Sequence, residues 1–118
     1  MIIKGEVIHG AQLGRKMGFP TANIDARNIN DIDNGVYFSR VEIDGVTYKA
    51  MSNVGYRPSV DGRTRLIETH IFGFDGDIYG TIISVDLVRK IRDEQRFSTI
   101  EALRQQLEAD AARCQEEE

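Results

Sequence analysis

The chain has 118 residues, 41% of them hydrophobic, and a net charge of −4, which is typical of one domain with its own core. The acidic balance argues against a general nucleic-acid binder, and no apolar run approaches the roughly 20 residues of a membrane span. With one cysteine and two histidines, an internal disulfide is excluded and a structural zinc site is disfavoured. Since no secretory signal opens the chain, we expect a soluble, cytoplasmic domain spanning residues 1–118.

The first two thirds of the chain predict β-structure. Residues 2–9 predict a strand, and residues 10–35, rich in Gly, Asn and Asp, predict an extended loop. The runs 36–43 and 46–54 flank Asp44-Gly45, a pair that favours a tight hairpin because both residues tolerate positive φ. Residues 55–65 predict a second loop, and the runs 66–74 and 78–88 predict another hairpin around Asp75-Gly76-Asp77.

The last third predicts one amphipathic helix, at about residues 99–115. Ser98 and Glu101 fit a capping box, in which each side chain satisfies the other's free backbone N–H. Apolar residues follow at helical spacing, at Ile100, Leu103, Leu107 and Ala111. Because five or six mostly antiparallel strands must hide their edges, we expect a small closed β-barrel over about residues 1–90, with this helix against it.

The segment GRKMGFPTANID, residues 14–25, has neither helical nor strand periodicity. Its glycines let the backbone approach a ligand closely, and Arg15 or Lys16 could neutralise phosphate charge. In an extended chain Thr21 and Asn23 point the same way, and their oxygens suit a hard cation such as Mg²⁺. The residues alone favour a plainer interpretation, a Gly-rich surface loop with a Thr/Asn turn, since short glycine motifs often match by chance.

Glu68 is the second unusual feature, because it lies in the middle of a predicted strand with apolar neighbours on both faces. A carboxylate there needs a partner or a pocket, and a desolvated one could accept a proton from a hydroxyl. The alternative is a strand-edge salt bridge with Arg63 or Arg65. His70 shares its face and is predicted to be packed or hydrogen-bonded rather than catalytic.

Two further segments leave two interpretations open. Residues 87–97 mix cations, acids and Phe97 just before the helix. They could line a ligand mouth through Arg92 and Phe97, or form a solvated connector in which Phe97 packs on the helix start. Tyr79, beside Gly80 at a strand start, could form a pocket wall or pack in the barrel.

Taken in order, these motifs resemble those of riboflavin kinase, found alone in eukaryotes and as the C-terminal half of bacterial bifunctional FAD synthetases. The GFPTAN segment (18–23) and the hairpin from ETH (68–70) to YG (79–80) are the most specific. The matching segments are GEVIHG (5–10), GRKMGFPTANI (14–24), NGVYFSRV (34–41), AMSNVGYRPS (50–59), IETHIFGFDGDIYG (67–80), IRDEQRFSTIEAL (91–103) and LEADAARC (107–114).

The resemblance implies a six-stranded antiparallel, Greek-key-like β-barrel with a C-terminal helix. It also implies transfer of the γ-phosphate of ATP to the 5′-hydroxyl of riboflavin, giving FMN and ADP. Thr21 and Asn23 would hold Mg²⁺, or another divalent cation, and the phosphates, and Glu68 would be the base. The ATP site would comprise Gly10, Arg15, Gly18, Pro20, Thr21, Asn23 and Tyr79, and the flavin site Leu66, Arg92 and Phe97. Whether Arg15 or Lys16 contacts phosphate stays open.

The sequence departs from the family pattern in two ways. RPS (57–59) stands where RPT is usual, although Ser59 keeps a hydroxyl. No H-x-G-H adenylyltransferase signature occurs, so we expect a monomeric kinase that stops at FMN, either alone or cut from a longer protein with an N-terminal adenylyltransferase domain. The rival interpretations are a non-catalytic flavin- or nucleotide-binding barrel and an OB-like barrel for single-stranded nucleic acid; the acidic balance disfavours the second.

Overall fold

The structure is a computed structural model that describes residues 1–8, 18–59 and 62–118. It consists of a six-stranded sheet and a C-terminal helix, with strand order β1-β6-β3-β4-β5-β2 and antiparallel pairing between neighbours. The elements are β1 (Ile2–Glu6), β2 (Ala22–Asp25), β3 (Gly35–Ile43), β4 (Val46–Ser59), β5 (Gly62–Ile71), β6 (Ile82–Arg92) and α1 (Ile100–Glu116).

The two edge strands approach each other and nearly close the sheet into a barrel. Beyond β1, the backbone N–H of Ile8 donates to the carbonyl of Asn23 in β2 at 2.8 Å. Val7 exchanges backbone hydrogen bonds with Gly80 and Thr81 at 2.9 Å, so the segment before β6 also covers this edge. The predicted six-stranded antiparallel barrel with a C-terminal helix is therefore confirmed, and its edges are protected as the small size requires.

Strand alternation divides the apolar residues between two faces of the sheet. The inner face fills the barrel, where Ile67 of β5 is fully buried between its register partners Ile24 and Val54. The outer face of β3 and β4 carries a second cluster that includes Phe38 and Met51, and α1 packs on it through residues such as Cys114. The helix thus covers one part of the outer face of the barrel.

The Asp44-Gly45 hairpin is confirmed, since β3 and β4 pair on either side of it and both residues have positive φ, 50° and 82°. The predicted loop at 55–65 is wrong, because β4 continues to Ser59 and β5 begins at Gly62. Pairing of 66–74 with 78–88 is also wrong, because β5 pairs with β4 and β2 while β6 pairs with β1 and β3. The glycines around residues 73–80 mark a connection between distant strands rather than a tight turn.

Element boundaries differ from the expectations in smaller ways. The first strand ends at Glu6, the loop predicted at 10–35 contains β2, and β6 extends the barrel to Arg92. The helix begins at Ile100 with Thr99 as its N-cap, not Ser98; the Thr99 hydroxyl accepts from the backbone N–H of Ala102 at 3.0 Å. Across the described ranges, the structure contains no helix with the length and apolar character needed to cross a bilayer.

Candidate active site

A cavity of about 470 Å³ opens where β2, the end of β5 and the 74–79 connection meet. Four residues predicted to bind the nucleotide lie on its wall, namely Pro20, Thr21, Asn23 and Tyr79. Asp77 shapes the opposite side, because its carboxylate accepts a hydrogen bond from the backbone N–H of Tyr79 at 2.9 Å. The structure thus gathers residues from distant parts of the sequence around one concave site, the usual form of a small-molecule site.

Thr21 and Asn23 present two uncharged oxygens side by side on this wall. Thr21 precedes β2 and Asn23 lies within it, so alternation directs both side chains the same way. The Thr21 hydroxyl donates to the amide oxygen of Asn23 at 3.4 Å. Such neutral oxygens suit Mg²⁺ that keeps water and phosphate ligands, so the pair fits the metal. Within residues 1–8, 18–59 and 62–118, no group of three His, Cys, Asp or Glu could hold a metal.

The segment before Thr21 is anchored to β5. Nδ1 of His70 lies 2.8 Å from the carbonyl oxygen of Pro20. The imidazole also makes edge-on contacts with the rings of Phe19 and Phe72, at centroid distances of 5.3 and 5.4 Å. The prediction that His70 is a packed, hydrogen-bonded histidine is confirmed. Gly18 is the first described residue of this segment and has a φ of 86°. Gly10, Arg15 and Lys16 lie outside the described residues.

Glu68 lies directly across from Asn23 in the β2–β5 register and from Asn53 in the β4–β5 register. Register partners share a sheet face, so the three side chains form a polar row over β2, β5 and β4. Oε1 of Glu68 lies 2.6 Å from Nε of Arg57, and the Glu68 side chain is 16% exposed. The cavity and the carboxylate are therefore adjacent, with Asn23 between them.

Neither predicted salt-bridge partner of Glu68 is correct. Arg63 and Arg65 are odd-numbered residues of β5 and face away from Glu68. Arg63 stacks over the ring of Tyr56, with its guanidinium carbon 4.4 Å from the ring centroid. Arg65 is buried and donates to Asn34 and to backbone carbonyls of the 26–32 segment. Arg57, from the same face of the neighbouring strand, takes the place predicted for them.

The segment that follows β6 covers this same outer face. Oε1 of Glu94 lies 3.3 Å from Nη1 of Arg57, so the guanidinium bridges Glu94 and Glu68. A side chain at Gly55 would collide with the Glu94 carboxylate, which shows that Glu94 lies directly on the β4 backbone. Leu66, predicted to contact the flavin, is the buried register partner of Gly55. Leu66 and Glu94 thus belong to one surface beside Glu68.

Arg92, also predicted to contact the flavin, is engaged inside the protein. Its Nε and Nη2 donate to both carboxylate oxygens of buried Asp110 in α1 at 2.8–3.1 Å. Its Nη1 donates to the carbonyl of Asp93, and its guanidinium carbon lies 5.9 Å from the Phe97 ring centroid. Arg92 therefore fixes the 93–97 segment and the helix to the barrel.

Ion pairs shift pKa values at both ends of this region. Hydrogen bonds from Arg27 hold the pKa of the Asp25 carboxyl below its usual value, just after Asn23 in β2. A hydrogen bond from Lys90 does the same to the pKa of Asp93, at the start of the covering segment. Both carboxylates are therefore charged and paired at neutral pH.

Arg57, Glu94 and Asn53 were not among the predicted site residues. The signals were available: Arg57 opens the RPS motif, and Asn53 is an amide in a run of strand-forming residues. Their association depends on strand register, because Arg57 and Asn53 both meet Glu68 across the β4–β5 pairing. A loop at residues 55–65, as predicted, would lack that pairing.

Comparisons with known proteins show the family of the chain. The riboflavin kinase (flavokinase) family model matches residues 1–117. The chain is 41% identical over 112 residues to the bifunctional riboflavin kinase/FMN adenylyltransferase of Pseudomonas fluorescens, a match covering 93% of this chain and 36% of that protein. It therefore spans little more than a third of the length of that relative.

Two solved structures share the fold. A Streptococcus pneumoniae protein described as a macrolide-efflux protein superposes with a TM-score of 0.88 at 36% identity, over 99% of this chain and 39% of the other. Riboflavin kinase from Trypanosoma brucei superposes with a TM-score of 0.64 at 22% identity, over 97% of this chain and 76% of the other. By the family model and the sequence identity together, the chain belongs to the riboflavin kinase family.

Proposed function

We propose that this domain transfers the terminal phosphoryl group of ATP to the 5′-hydroxyl of riboflavin, giving FMN and ADP. The observation that carries the proposal is the adjacency of two functions on neighbouring strands. Thr21 and Asn23 offer oxygen ligands on the cavity wall, and Glu68 lies directly across the register from Asn23. Phosphoryl transfer needs this combination of charge neutralisation and a positioned acceptor more than it needs covalent chemistry.

The cavity is the proposed nucleotide site. Thr21 and Asn23 would hold Mg²⁺, which when bound neutralises charge on the phosphates. Tyr79 would wall the nucleotide, and Gly18 and Pro20 would bring the backbone close to the phosphates, where His70 fixes the Pro20 carbonyl. Gly10 and Arg15 complete the proposed site from the preceding segment.

Glu68 is the proposed general base. Its carboxylate would accept the proton of the riboflavin 5′-hydroxyl while that oxygen forms a bond to the γ-phosphorus and the bond to the ADP oxygen breaks. Arg57 holds Oε1 of Glu68 at 2.6 Å, and Oε2 would be the oxygen that receives the incoming hydroxyl. A carboxylate fixed by one oxygen and open at the other is oriented before the substrate arrives, which reduces the entropic part of the barrier.

The flavin is proposed to lie on the outer face, over Leu66 and under the 93–97 segment. Leu66 supplies an apolar floor and Phe97 an aromatic surface, and Arg92 holds that segment in place through Asp110. Arg92 would then act on the flavin through the position of Phe97 rather than through a free guanidinium donor.

The assay mixes the protein with riboflavin, ATP and Mg²⁺ and measures FMN by chromatography. Glu68→Gln keeps shape and hydrogen bonding but removes the base, so turnover should fall by about 10²–10⁴-fold, with riboflavin and MgATP still bound. Glu42→Gln is the matched control, because Glu42 is an exposed strand glutamate in β3 that should tolerate the change. Binding without FMN formation by the wild type would instead support a non-catalytic flavin- or nucleotide-binding barrel.

We further propose that the domain acts as a cytoplasmic monomer, with ATP as donor and Mg²⁺ or another divalent cation as the metal. The charge of −4 supports small-molecule substrates rather than nucleic acid. The bifunctional name of the Pseudomonas fluorescens relative supports an association with an adenylyltransferase domain in a longer parent protein. Size-exclusion chromatography and substitution of the nucleotide or the metal in the same assay test these points.

A further inference from the structure

Asn53 carries a buried polar atom that no residue in the described part of the chain satisfies. The amide oxygen Oδ1 of Asn53 is buried and has no hydrogen-bond partner among residues 1–8, 18–59 and 62–118. A buried acceptor without a partner destabilises a fold, and native proteins contain few of them. An atom of this kind beside a proposed active site is therefore a candidate for contact with a ligand.

Asn53 lies on the side of the proposed site where the phosphoryl acceptor would bind. The polar row over three adjacent strands runs from Asn23 through Glu68 to Asn53. Asn23 lies on the wall of the proposed nucleotide cavity, and Glu68 is the proposed base. Asn53 is thus on the far side of the base from the phosphates, with its β-carbon about 5 Å from that of Glu68, the usual spacing of register partners.

The nearest described side chains on the same sheet face supply no donor to Oδ1 of Asn53. Its register partners are Glu68, which is paired with Arg57, and Val36, which is apolar. Along β4 its same-face neighbours are Met51 and Gly55, neither of which has a side-chain N–H or O–H donor. A carbonyl oxygen requires a donor, and a hydroxyl is the donor that a polyol chain supplies.

We propose that Asn53 binds the acceptor substrate, its Oδ1 accepting a hydrogen bond from the hydroxyl next to the one that receives the phosphoryl group. The inference rests on the proposed function and adds a specificity determinant to it. With the reacting hydroxyl at Glu68, the neighbouring hydroxyl of the polyol chain extends along the row to Asn53. The site then selects acceptors that carry two adjacent hydroxyls at the reacting end.

The test is a two-by-two comparison of enzyme and substrate. Wild type and Asn53→Ala are each assayed with riboflavin and with an analogue that lacks only the hydroxyl next to the terminal one. Wild type should prefer riboflavin by about 10-fold in kcat/KM, the usual effect of one satisfied buried acceptor. Asn53→Ala should lose that preference, with the KM for riboflavin raised and the KM for MgATP unchanged.

Two further variants separate binding from folding. Asn53→Leu has a similar shape without the amide, so it should lose the same preference while melting at or above the wild-type temperature. Asn28→Ala, at an exposed position after β2, is the matched control and should keep the preference. Equal preference in wild type and Asn53→Ala, with FMN formed by both, would overturn this inference alone. If the wild type forms no FMN, the proposed function and this inference fail together.

Discussion

Removal of the Asp110 carboxylate should destabilise the domain more than any surface ion-pair change. Asp110 receives three hydrogen bonds from Arg92 and one from Gln106 at 2.9 Å. The side chains of Arg92 and Asp110 are only 17% and 4% exposed. Breaking a buried pair from one side leaves an uncompensated charge and costs about 3–5 kcal/mol. Because Arg92 retains some access to water, we expect Asp110→Ala to lie at the lower end, about 3 kcal/mol.

For a domain of this length, about 3 kcal/mol corresponds to a fall in Tm of roughly 10 °C. Urea and thermal unfolding followed by circular dichroism measure both values. Arg104→Ala is the matched control on the same helix, because it removes only the exposed pair with Glu101 at 3.3 Å and should change stability by about 0.5 kcal/mol or less. If the two variants unfold within about 1 kcal/mol of each other, the reasoning from burial of the Arg92–Asp110 pair is wrong.

Three further predictions concern other parts of the domain. Arg65→Met should lower the free energy of unfolding by about 3 kcal/mol in urea melts, because buried carbonyls of the 26–32 segment lose their donors; an unchanged midpoint would contradict this. Burial raises the pKa of the Cys114 thiol from 9.0 to about 11, so iodoacetamide at pH 8 should label the folded protein at least about 100-fold more slowly than the unfolded one. The raised pKa also stabilises the fold fully below pH 9, an effect lost between pH 9 and 11. Gly55→Ala should displace Glu94 from the β4 backbone and weaken riboflavin binding, measured by flavin fluorescence, while MgATP affinity stays unchanged.

Local chemistry accounts for the parts of the fold that were predictable. Asp44-Gly45 specifies a tight hairpin because its backbone needs positive φ, and the structure has that hairpin. The helix was predictable from the apolar spacing and a hydroxyl N-cap. The N-cap was predicted at Ser98, and the structure has it at Thr99. Pairing between β6 and both β1 and β3 was not predictable from local signals, because long connections leave strand neighbours undetermined.

In the candidate site, too, contacts set by local geometry were predictable and contacts set by strand register were not. Thr21 and Asn23 are adjacent because alternate residues of an extended chain share a face, a rule that needs no tertiary information. The Arg57–Glu68 pair depends on the β4–β5 register. That register was not predictable, because Gly55 and Pro58 are residues typical of a loop. Arg92 was predicted at the flavin from a motif, whereas the structure shows its donors held by Asp110 and Asp93.

The register of β5 connects the core of the barrel to the proposed chemistry. Ile67 points inward, fully buried between Ile24 and Val54, so Glu68 must point outward into the polar row. A slip of one residue would place the carboxylate inside the apolar barrel and an isoleucine beside Asn23, which burial of the charge forbids. Hydrophobic packing inside the barrel therefore sets the position of the proposed base to within one residue. Substitutions at Ile67 should accordingly impair turnover as well as stability, although Ile67 faces away from the proposed substrates.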